Sequence, residues 1–259
     1  SYINTHWSFI AQRRITNRNE SSHETLRETP VPSVVAINQR ARSNEQKALR
    51  RQAVLMAAET YFLEVGFEAF SMAQLAKKTG LVKGTLYLYF KTREALFLTL
   101  YEQSLIRWSE VFISHLSGDM TSKAYAQMLY TTAMADGAFI PLLIRLEHVI
   151  EHNVAIASLI ESKRVFQRQV AAIAAPTSTS LSLNAAQATE VVKTMGVLLI
   201  GATRSDQGPA LDNKALPEDI QDLIGSFASE PLFVKNAVRI IEGVRAEASL
   251  WRPIDANLY

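Results

Sequence analysis

The 259-residue chain can form one large domain or two small ones, and 48% hydrophobic residues with a mean hydropathy of +0.02 allow a substantial buried core. The absence of cysteine excludes disulfide and thiol chemistry, and no apolar run approaches the roughly 20 residues that span a bilayer. The net charge of +2 hides an asymmetry, because residues 43–93 carry 8 Lys/Arg and 4 Asp/Glu whereas residues 94–259 carry 13 and 18. A basic segment attached to an acidic remainder is typical of a protein that meets nucleic acid at one end.

Apolar residues recur at helical spacing along most of the chain, and only 10 Gly and 8 Pro interrupt it. No long alternation of β-branched residues indicates a sheet, so we predict an all-α fold. The start of the chain lacks the apolar region of a signal peptide. We therefore expect a cytoplasmic protein without a membrane partner.

Residues 1–42 form an extension whose pattern is the hardest to interpret. Pro30 and Pro32 oppose a helix, and Trp7 and Phe9 lie in a stretch that also holds two adjacent arginines. Three interpretations stay open. The extension is a flexible leader, a basic arm that reaches a neighbouring DNA groove, or a segment that docks on the body or on a partner subunit.

The first firm helix is predicted to begin at Ser43, which forms a capping box with Gln46, and to end at Gly66. This helix would carry Lys47 toward a DNA backbone. The alternative for any single cation of this kind is an ordinary solvated surface charge.

Two short helices follow, and together they predict a helix-turn-helix. Ser71 is an N-cap residue for the first of them, and Gly80 can adopt the left-handed conformation that ends it. The second helix restarts near Lys83 and continues to Phe90. In DNA-binding versions of this motif, the second helix enters the major groove.

On the second helix, Leu86 and Phe90 are four residues apart and should face inward, which leaves Lys83, Tyr87 and their neighbours outward. Lysine neutralises phosphate, Tyr and Thr hydroxyls donate to phosphate oxygens, and glycine permits close backbone approach. The residues that we expect at the DNA are Lys47, Ser71, Lys83, Gly84, Thr85, Tyr87, Leu88, Tyr89, Lys91 and Arg93.

Several short motifs stand in a fixed order here: Phe70-Ser71-Met72, Leu75-Ala76, Gly80-Leu81, the run from Gly84 to Lys91, and Arg93-Glu94-Ala95-Leu96. Over about residues 47–100 the chain resembles the N-terminal DNA-binding domain of TetR-type transcriptional regulators. The resemblance implies a three-helix DNA-binding domain at 43–93 and a larger helical ligand-binding and dimerisation domain at 94–259. It also implies that residues 184–204 and 232–248 form a four-helix dimer interface, whereas packing within one chain is the alternative.

The remaining helices are predicted from apolar spacing and from breakers such as Gly118 and Pro217. They are Thr92–Ser117, Ser122–Asp136, Pro141 to about Asn153, Ala155–Ala175, Asn184–Arg204, Glu218–Ala228 and Leu232–Leu250. We predict loops at 176–180 and 205–217 and an irregular tail at 251–259.

A small-molecule sensor needs a mostly apolar pocket with a few polar groups. The candidate lining residues are Trp108, Phe112, Tyr130, Met134, Phe139, Arg145, His148 and Phe166. Core packing is the alternative explanation for each of them. Arg145 would pair either an acidic ligand or a carboxylate of this chain.

One cluster suggests metal chemistry, because His148, Glu151 and His152 follow the order His-x-x-Glu-His. No further ligand or substrate cleft accompanies it, so we favour a polar helix face and predict no metal, no cofactor and no catalytic residue. No P-loop, Gly-x-Gly-x-x-Gly or Gly-x-Ser-x-Gly motif occurs in the sequence.

These observations favour a homodimeric transcriptional regulator of the repressor type. Its partners would be a pseudo-palindromic operator in double-stranded DNA, a second copy of itself, and a small, mostly apolar effector. Two alternatives stay open. The chain is an enzyme or small-molecule carrier that keeps the helix-turn-helix as a structural unit, or it is a regulator that binds a protein partner instead of an effector.

Overall fold

The structure, a computed structural model, describes residues 34–204 and 216–250, with side chains for residues 44–204 and 216–247. The all-α prediction is confirmed, since no strand occurs in these ranges. The α-helices are α1 (Val34–Ala69), α2 (Met72–Lys78), α3 (Lys83–Tyr89), α4 (Arg93–His115), α5 (Ser122–Ala135), α6 (Phe139–Arg145), α7 (Ile156–Leu181), α8 (Ala185–Arg204), α9 (Glu218–Ser226) and α10 (Ser229–Leu250).

The chain divides into two units, residues 1–47 and 48–259. The predicted extension 1–42 lies outside the described residues except for its helical end. The same applies to most of the predicted loop at 205–217 and to the tail at 251–259. None of the described helices has the length and apolar character needed to cross a membrane.

The start of α1 corrects the prediction at Ser43. The helix is already formed at Val34, so Ser43 lies inside it and does not cap it. No Pro or Gly separates Val34 from Ser43, and the intervening residues are compatible with a helix. Gly66 behaves as predicted, because its φ of 73° interrupts the helical geometry.

An aromatic cluster joins the end of α1 to α4. The ring of Phe97 lies 5.6 Å, 4.7 Å and 4.9 Å from those of three other phenylalanines, Phe62, Phe67 and Phe70, measured between centroids. Phe97 is fully buried. The start of α4 therefore packs into the core of the helix-turn-helix module, which we define as residues 48–90.

Helix α4 begins as predicted. The hydroxyl of Thr92 accepts a hydrogen bond from the backbone N–H of Ala95 at 2.9 Å. Its predicted apolar face is buried along its length, from Leu96 through Leu105 to Phe112. This long helix contacts both the helix-turn-helix module and the other helices of the body.

The predicted single helix from Pro141 to Asn153 is wrong in its second half. Pro141 does lie in the first turn of α6, but the α-helix ends at Arg145. A π turn at Leu146–Ile150 and a 3-10 turn at Glu151–Asn153 follow. Neither Gly nor Pro marks this change, so sequence periodicity alone could not reveal it.

The predicted loop after Pro176 is also wrong, because α7 continues through it to Leu181. The proline removes the N–H that would bond the carbonyl of Ala172, and Ala172 is exposed, so water can satisfy that carbonyl. Two of the Thr and Ser residues that indicated a loop, Thr177 and Ser180, are buried instead. Thr177 is fully buried, and its Oγ1 lies 2.9 Å from the hydroxyl of Tyr125.

Helices α8 and α10 pack side by side, with the start of α8 near the end of α10. Asn184 and Gln187 cap α8 reciprocally, and the amide of Gln187 also donates to the carbonyl of Val244 at 2.8 Å. The buried residues of α8 are Ala188, Val191, Val192, Met195, Leu199, Ala202 and Thr203. The predicted last helix begins earlier than expected, at Ser229, with Pro231 in its first turn.

Candidate nucleic-acid interface

The turn between α2 and α3 has the geometry of a Schellman motif. Gly80 has a φ of 66°, its N–H bonds the carbonyl of Lys77 at 3.2 Å, and the N–H of Leu81 bonds that of Ala76 at 2.9 Å. The N-cap position of Ser71 is confirmed, but its side chain makes no capping hydrogen bond. This turn sets the angle at which α3 leaves α2.

One face of α3 is buried and the other is exposed. Leu86 and Phe90 are buried, at 0% and 2% exposure, as predicted. Lys83, Gly84 and Leu88 are exposed, and Leu88 reaches 67%. Apart from adjacent residues and the backbone of the same helix, no described atom lies within 4 Å of the position that a Cβ would occupy at Gly84. A nucleic-acid backbone can therefore approach this end of α3 closely.

The two tyrosines of α3 are half-buried, which is less exposure than the predicted outward orientation implies. The rings of Tyr87 and Tyr89 pack partly against the core. The ammonium of Lys83 lies 6.0 Å from the ring centroid of Tyr87. At that distance the cation and the ring attract each other weakly.

The flanking cations fall into two groups. Lys47 and Lys91 are exposed. Arg93, in contrast, is half-buried, and its guanidinium lies 5.2 Å from the ring centroid of Phe67. Its Nε also donates to the carboxylate of Glu94 at 3.1 Å. The contacts of Arg93 are therefore within the chain.

Lys77 is an exposed cation that our list of DNA contacts omitted. It lies in the last turn of α2, the helix that crosses the DNA backbone in this motif. Its position three residues before Gly80 was readable from the sequence. A lysine in a last turn also interacts favourably with the helix dipole, so the position has a structural explanation as well.

Three of the predicted ligand-binding residues form one aromatic stack in the body. The ring of Trp108 lies 5.7 Å from that of Phe112 and 4.9 Å from that of Phe139, with nearly parallel planes. The indole N–H of Trp108 donates to Oγ1 of Thr132 at 3.2 Å. These rings fill the interior between them, as the core-packing alternative expects.

The other predicted ligand-binding residues lie apart from this stack. Three of them are exposed, namely Met134, His148 and Phe166. The hydroxyl of Tyr130 is hydrogen-bonded to that of Ser229. Arg145 is held by Glu68, with 3.3 Å between Nε and Oε1. The structure thus brings only part of the predicted set together.

The His-x-x-Glu-His cluster is divided by the change from π to 3-10 geometry. Glu151 is an ion-pair partner of Lys163, with 2.5 Å between Oε1 and Nζ. Burial raises the pKa of Glu151, and the contact with Lys163 opposes that shift. In the described ranges, no group of three or more His, Cys, Asp or Glu side chains could hold a metal ion.

Two family profiles match the chain. The profile described as "Bacterial regulatory proteins, tetR family" matches residues 54–100. The profile described as "Tetracyclin repressor-like, C-terminal domain" matches residues 102–247, which are more than half of the chain. The chain belongs to the TetR family. TetR-family proteins are DNA-binding transcriptional regulators, so the prediction that this chain is not an enzyme is confirmed.

Curated TetR-type relatives match parts of the chain. The fatty acid metabolism regulator protein of Bacillus subtilis (strain 168) is 27% identical over 120 residues, which are 46% of this chain and 56% of that protein. The HTH-type transcriptional repressor AcnR of Corynebacterium diphtheriae is 33% identical over 69 residues, 27% of this chain and 36% of that protein. This chain thus spans less than two thirds of each relative. A possible TetR family transcriptional regulator from Streptomyces coelicolor A3(2) superposes with a TM-score of 0.49 at 16% identity, covering 76% of this chain and 99% of that one.

In this TetR-family chain, ion pairs attach the helix-turn-helix module to the body. Arg107 of α4 contacts Glu59 of α1 and also reaches Asp136 at 3.1 Å. Asp136 in turn accepts from the first backbone N–H groups of α6. Near the other end of the module, the hydroxyl of Thr92 donates to the carbonyl of Asn153 at 3.3 Å. These contacts connect α1 and the start of α4 to α5, α6 and the 3-10 turn.

Tyr101 of α4 is a buried tyrosine with an unsatisfied hydroxyl. It is 1% exposed and stacks on Phe139, and its hydroxyl has no hydrogen-bond partner among the described residues. Burial, reinforced by the negative charge of Glu151, raises the pKa of Tyr101 far above its usual value. The hydroxyl therefore stays protonated, and its O–H donor has no acceptor among the described residues.

We expect Tyr101→Phe to leave the free energy of unfolding unchanged or to raise it by about 1 kcal/mol, because it removes an unsatisfied buried donor. Tyr125→Phe is the matched control, since the hydroxyl of Tyr125 is paired with Thr177. Loss of the Tyr125 hydroxyl should lower the free energy of unfolding by about 1–3 kcal/mol, because Thr177 is left buried without its partner. Urea denaturation of both variants measures the difference. Equal destabilisation of the two variants would contradict the conclusion that the hydroxyl of Tyr101 has no hydrogen-bond partner.

Proposed function

We propose that this protein is a homodimeric repressor in which each subunit places α3 in a major groove of a pseudo-palindromic operator. The observation that carries the proposal is the arrangement of α3, with Lys83, Gly84 and Leu88 exposed above the anchors Leu86 and Phe90. Two such helices in a two-fold dimer would contact half-sites about 34–36 Å apart, or a multiple of that spacing. A bacterial regulator of this kind acts in the cytoplasm, where its DNA lies.

In this proposal, residues 43–93 form the DNA-binding domain and residues 94–259 form the ligand-binding and dimerisation domain. The residues facing DNA are those of the predicted list other than Arg93, with Lys77 added. Arg93 instead supports the core through its contact with Phe67. The exposed cations provide the sequence-independent part of the affinity. Side chains of α3, including Leu88 and Tyr87, provide contacts to base edges.

The dimer would form through the exposed face of α8. Most of the apolar residues of α8 that suggested an interface in the sequence are buried within one chain, as the alternative of packing within one chain expects. The exposed face instead carries Gly196, Val197 and Gly201. Glycine inside a helix costs about 1 kcal/mol relative to alanine, and an added Cβ would meet nothing within 4 Å at either glycine. A second helix that approaches closely would account for both residues.

Val197→Arg should convert the dimer to monomers and weaken operator binding at least tenfold, because it places a charge at the centre of this face. Val197 is 58% exposed, so the substitution does not disturb the core of the single chain. Val111→Arg is the matched control on α4, at 46% exposure. Sedimentation measures the oligomeric state and fluorescence anisotropy measures DNA binding. Dimers of unchanged stability in Val197→Arg would contradict this interface.

The effector would act on α4, α5 and α6 and, through them, on the helix-turn-helix module. The contacts of Arg107 with Glu59 and Asp136 offer a route, because a shift of α5 or α6 would be transmitted to α1. Coupling of this kind is worth about 1–3 kcal/mol, or roughly 5–150-fold in operator affinity. One relative is named for fatty acid metabolism. Fatty acids and their thioesters are therefore the first mostly apolar effectors to test.

The test is a gel-shift titration with the DNA upstream of the chain's own gene, with and without candidate effectors. We expect one saturable complex per operator, which an effector dissociates. Binding that is equally strong to unrelated duplexes of the same length would contradict a specific regulator. A specific complex that no fatty acyl compound affects would leave the DNA-binding assignment intact and exclude that effector class.

A further inference from the structure

Helix α9 carries an apolar face that the described residues leave exposed. The face consists of Ile220, Leu223 and Ile224, at the i, i+3, i+4 spacing of a single stripe. Their exposures are 37%, 55% and 40%, and no residue of α9 is buried. A helix of 9 residues is shorter than the roughly 12–15 residues that an isolated helix needs for stability in water. Such a helix gains stability by packing its apolar face on another surface.

The rest of α9 is acidic. Glu218, Asp219 and Asp222 lie away from the apolar stripe, and the helix contains no basic residue. The surface that receives this helix should therefore combine an apolar floor with positive charge at its edges.

One groove of the same chain has these properties. It lies between α5 and α10 and has a volume of about 470 Å³. Its apolar floor is formed by Pro231, Val234 and Val238. The residues that border it are Lys123, Gln127, Glu230, Lys235 and Arg239. Three cations against a single carboxylate give this groove the charge opposite to that of α9.

We propose that α9 of one subunit packs into the α5–α10 groove of a second copy of this chain, and that the exchange is reciprocal. The inference rests on the homodimer of the proposed function, to which it adds a second contact outside the α8 face. Only Phe227 and Ala228 separate α9 from α10. In a two-fold pair that places the two α10 helices side by side with their starts together, the partner's α9 would lie near the end of α10 that borders the groove.

The absence of cysteine makes a crosslinking test direct. Two single variants that carry different tags are co-expressed and mildly oxidised. One is Leu223→Cys, on the exposed face of α9, and the other is Val238→Cys, in the groove. We expect a disulfide-linked dimer that carries both tags, at least tenfold more abundant than in either variant alone. Leu223→Cys co-expressed with Val111→Cys is the control, and it should give only background crosslinking because Val111 lies on α4.

Three outcomes would overturn the inference. The first is crosslinking no higher than background in a co-expressed pair that still sediments as a dimer and still binds DNA. That result would not contradict the proposed function. The second is an internal disulfide in the double variant Leu223→Cys/Val238→Cys, without linked dimers, which would show that α9 occupies the groove of its own chain. A chain that sediments as a monomer at every concentration and on DNA overturns the inference and the proposed dimer together.

Discussion

The double substitution Lys83→Ala/Tyr87→Ala is expected to abolish specific operator binding while the chain remains folded. Lys83 is exposed and Tyr87 is half-buried, whereas the anchors of α3, Leu86 and Phe90, are unchanged. Each contact of this kind contributes about 1–3 kcal/mol, so the loss should be roughly a hundredfold or more in affinity. Fluorescence anisotropy measures the binding, and thermal unfolding measures the fold.

The control for this experiment is Arg164→Ala, which removes an exposed cation from α7, far along the chain from α3. It changes the net charge by the same amount as Lys83→Ala. Lys83→Ala alone should also lower the slope of log affinity against log salt concentration by about one. If Arg164→Ala weakens binding as much as the double variant does, the protein is attracted by net charge alone.

Phe97→Ala should have the largest effect on stability, lowering the free energy of unfolding by about 3–5 kcal/mol. Phe97 is fully buried, and its ring contacts those of Phe62, Phe67 and Phe70. Removing it leaves a cavity between the helix-turn-helix module and α4. Operator binding should therefore fail at temperatures at which the rest of the chain stays helical.

Urea denaturation followed by circular dichroism measures this effect, and Phe166→Ala provides the matched control. Phe166 lies on α7 at 42% exposure, so its truncation should cost about 1 kcal/mol or less. A loss in Phe97→Ala no greater than that in Phe166→Ala would show that the aromatic cluster does not hold the module in place.

The parts of the fold that the sequence predicted correctly depend on local chemistry. Gly80 ends α2 because only a residue without a Cβ enters the left-handed region without strain. Thr92 begins α4 because its hydroxyl replaces a missing backbone partner. The spacing of Leu86 and Phe90 identified the buried face of α3. Each of these signals operates within a few residues, and so it was visible in the sequence.

The errors arose where distant contacts decide the outcome. Pro176 indicated the end of a helix, but the contact of Thr177 with Tyr125 lies within a continuous α7. The sequence also could not show that Arg93 lies over Phe67, a residue of another helix. It left a carboxylate of this chain open as the partner of Arg145, but it could not identify that carboxylate as Glu68. Periodicity shows which face of a helix is apolar without showing which helix covers it.

The most direct test is to select duplexes that bind the full chain from a randomised pool and to footprint the protein on the selected sequence. The account predicts a pseudo-palindrome with two protected major-groove segments separated by about one helical turn or a multiple of it. Both protected segments should disappear together in Lys83→Ala/Tyr87→Ala. Selection of no common sequence, or protection that this double variant retains in full, would contradict it.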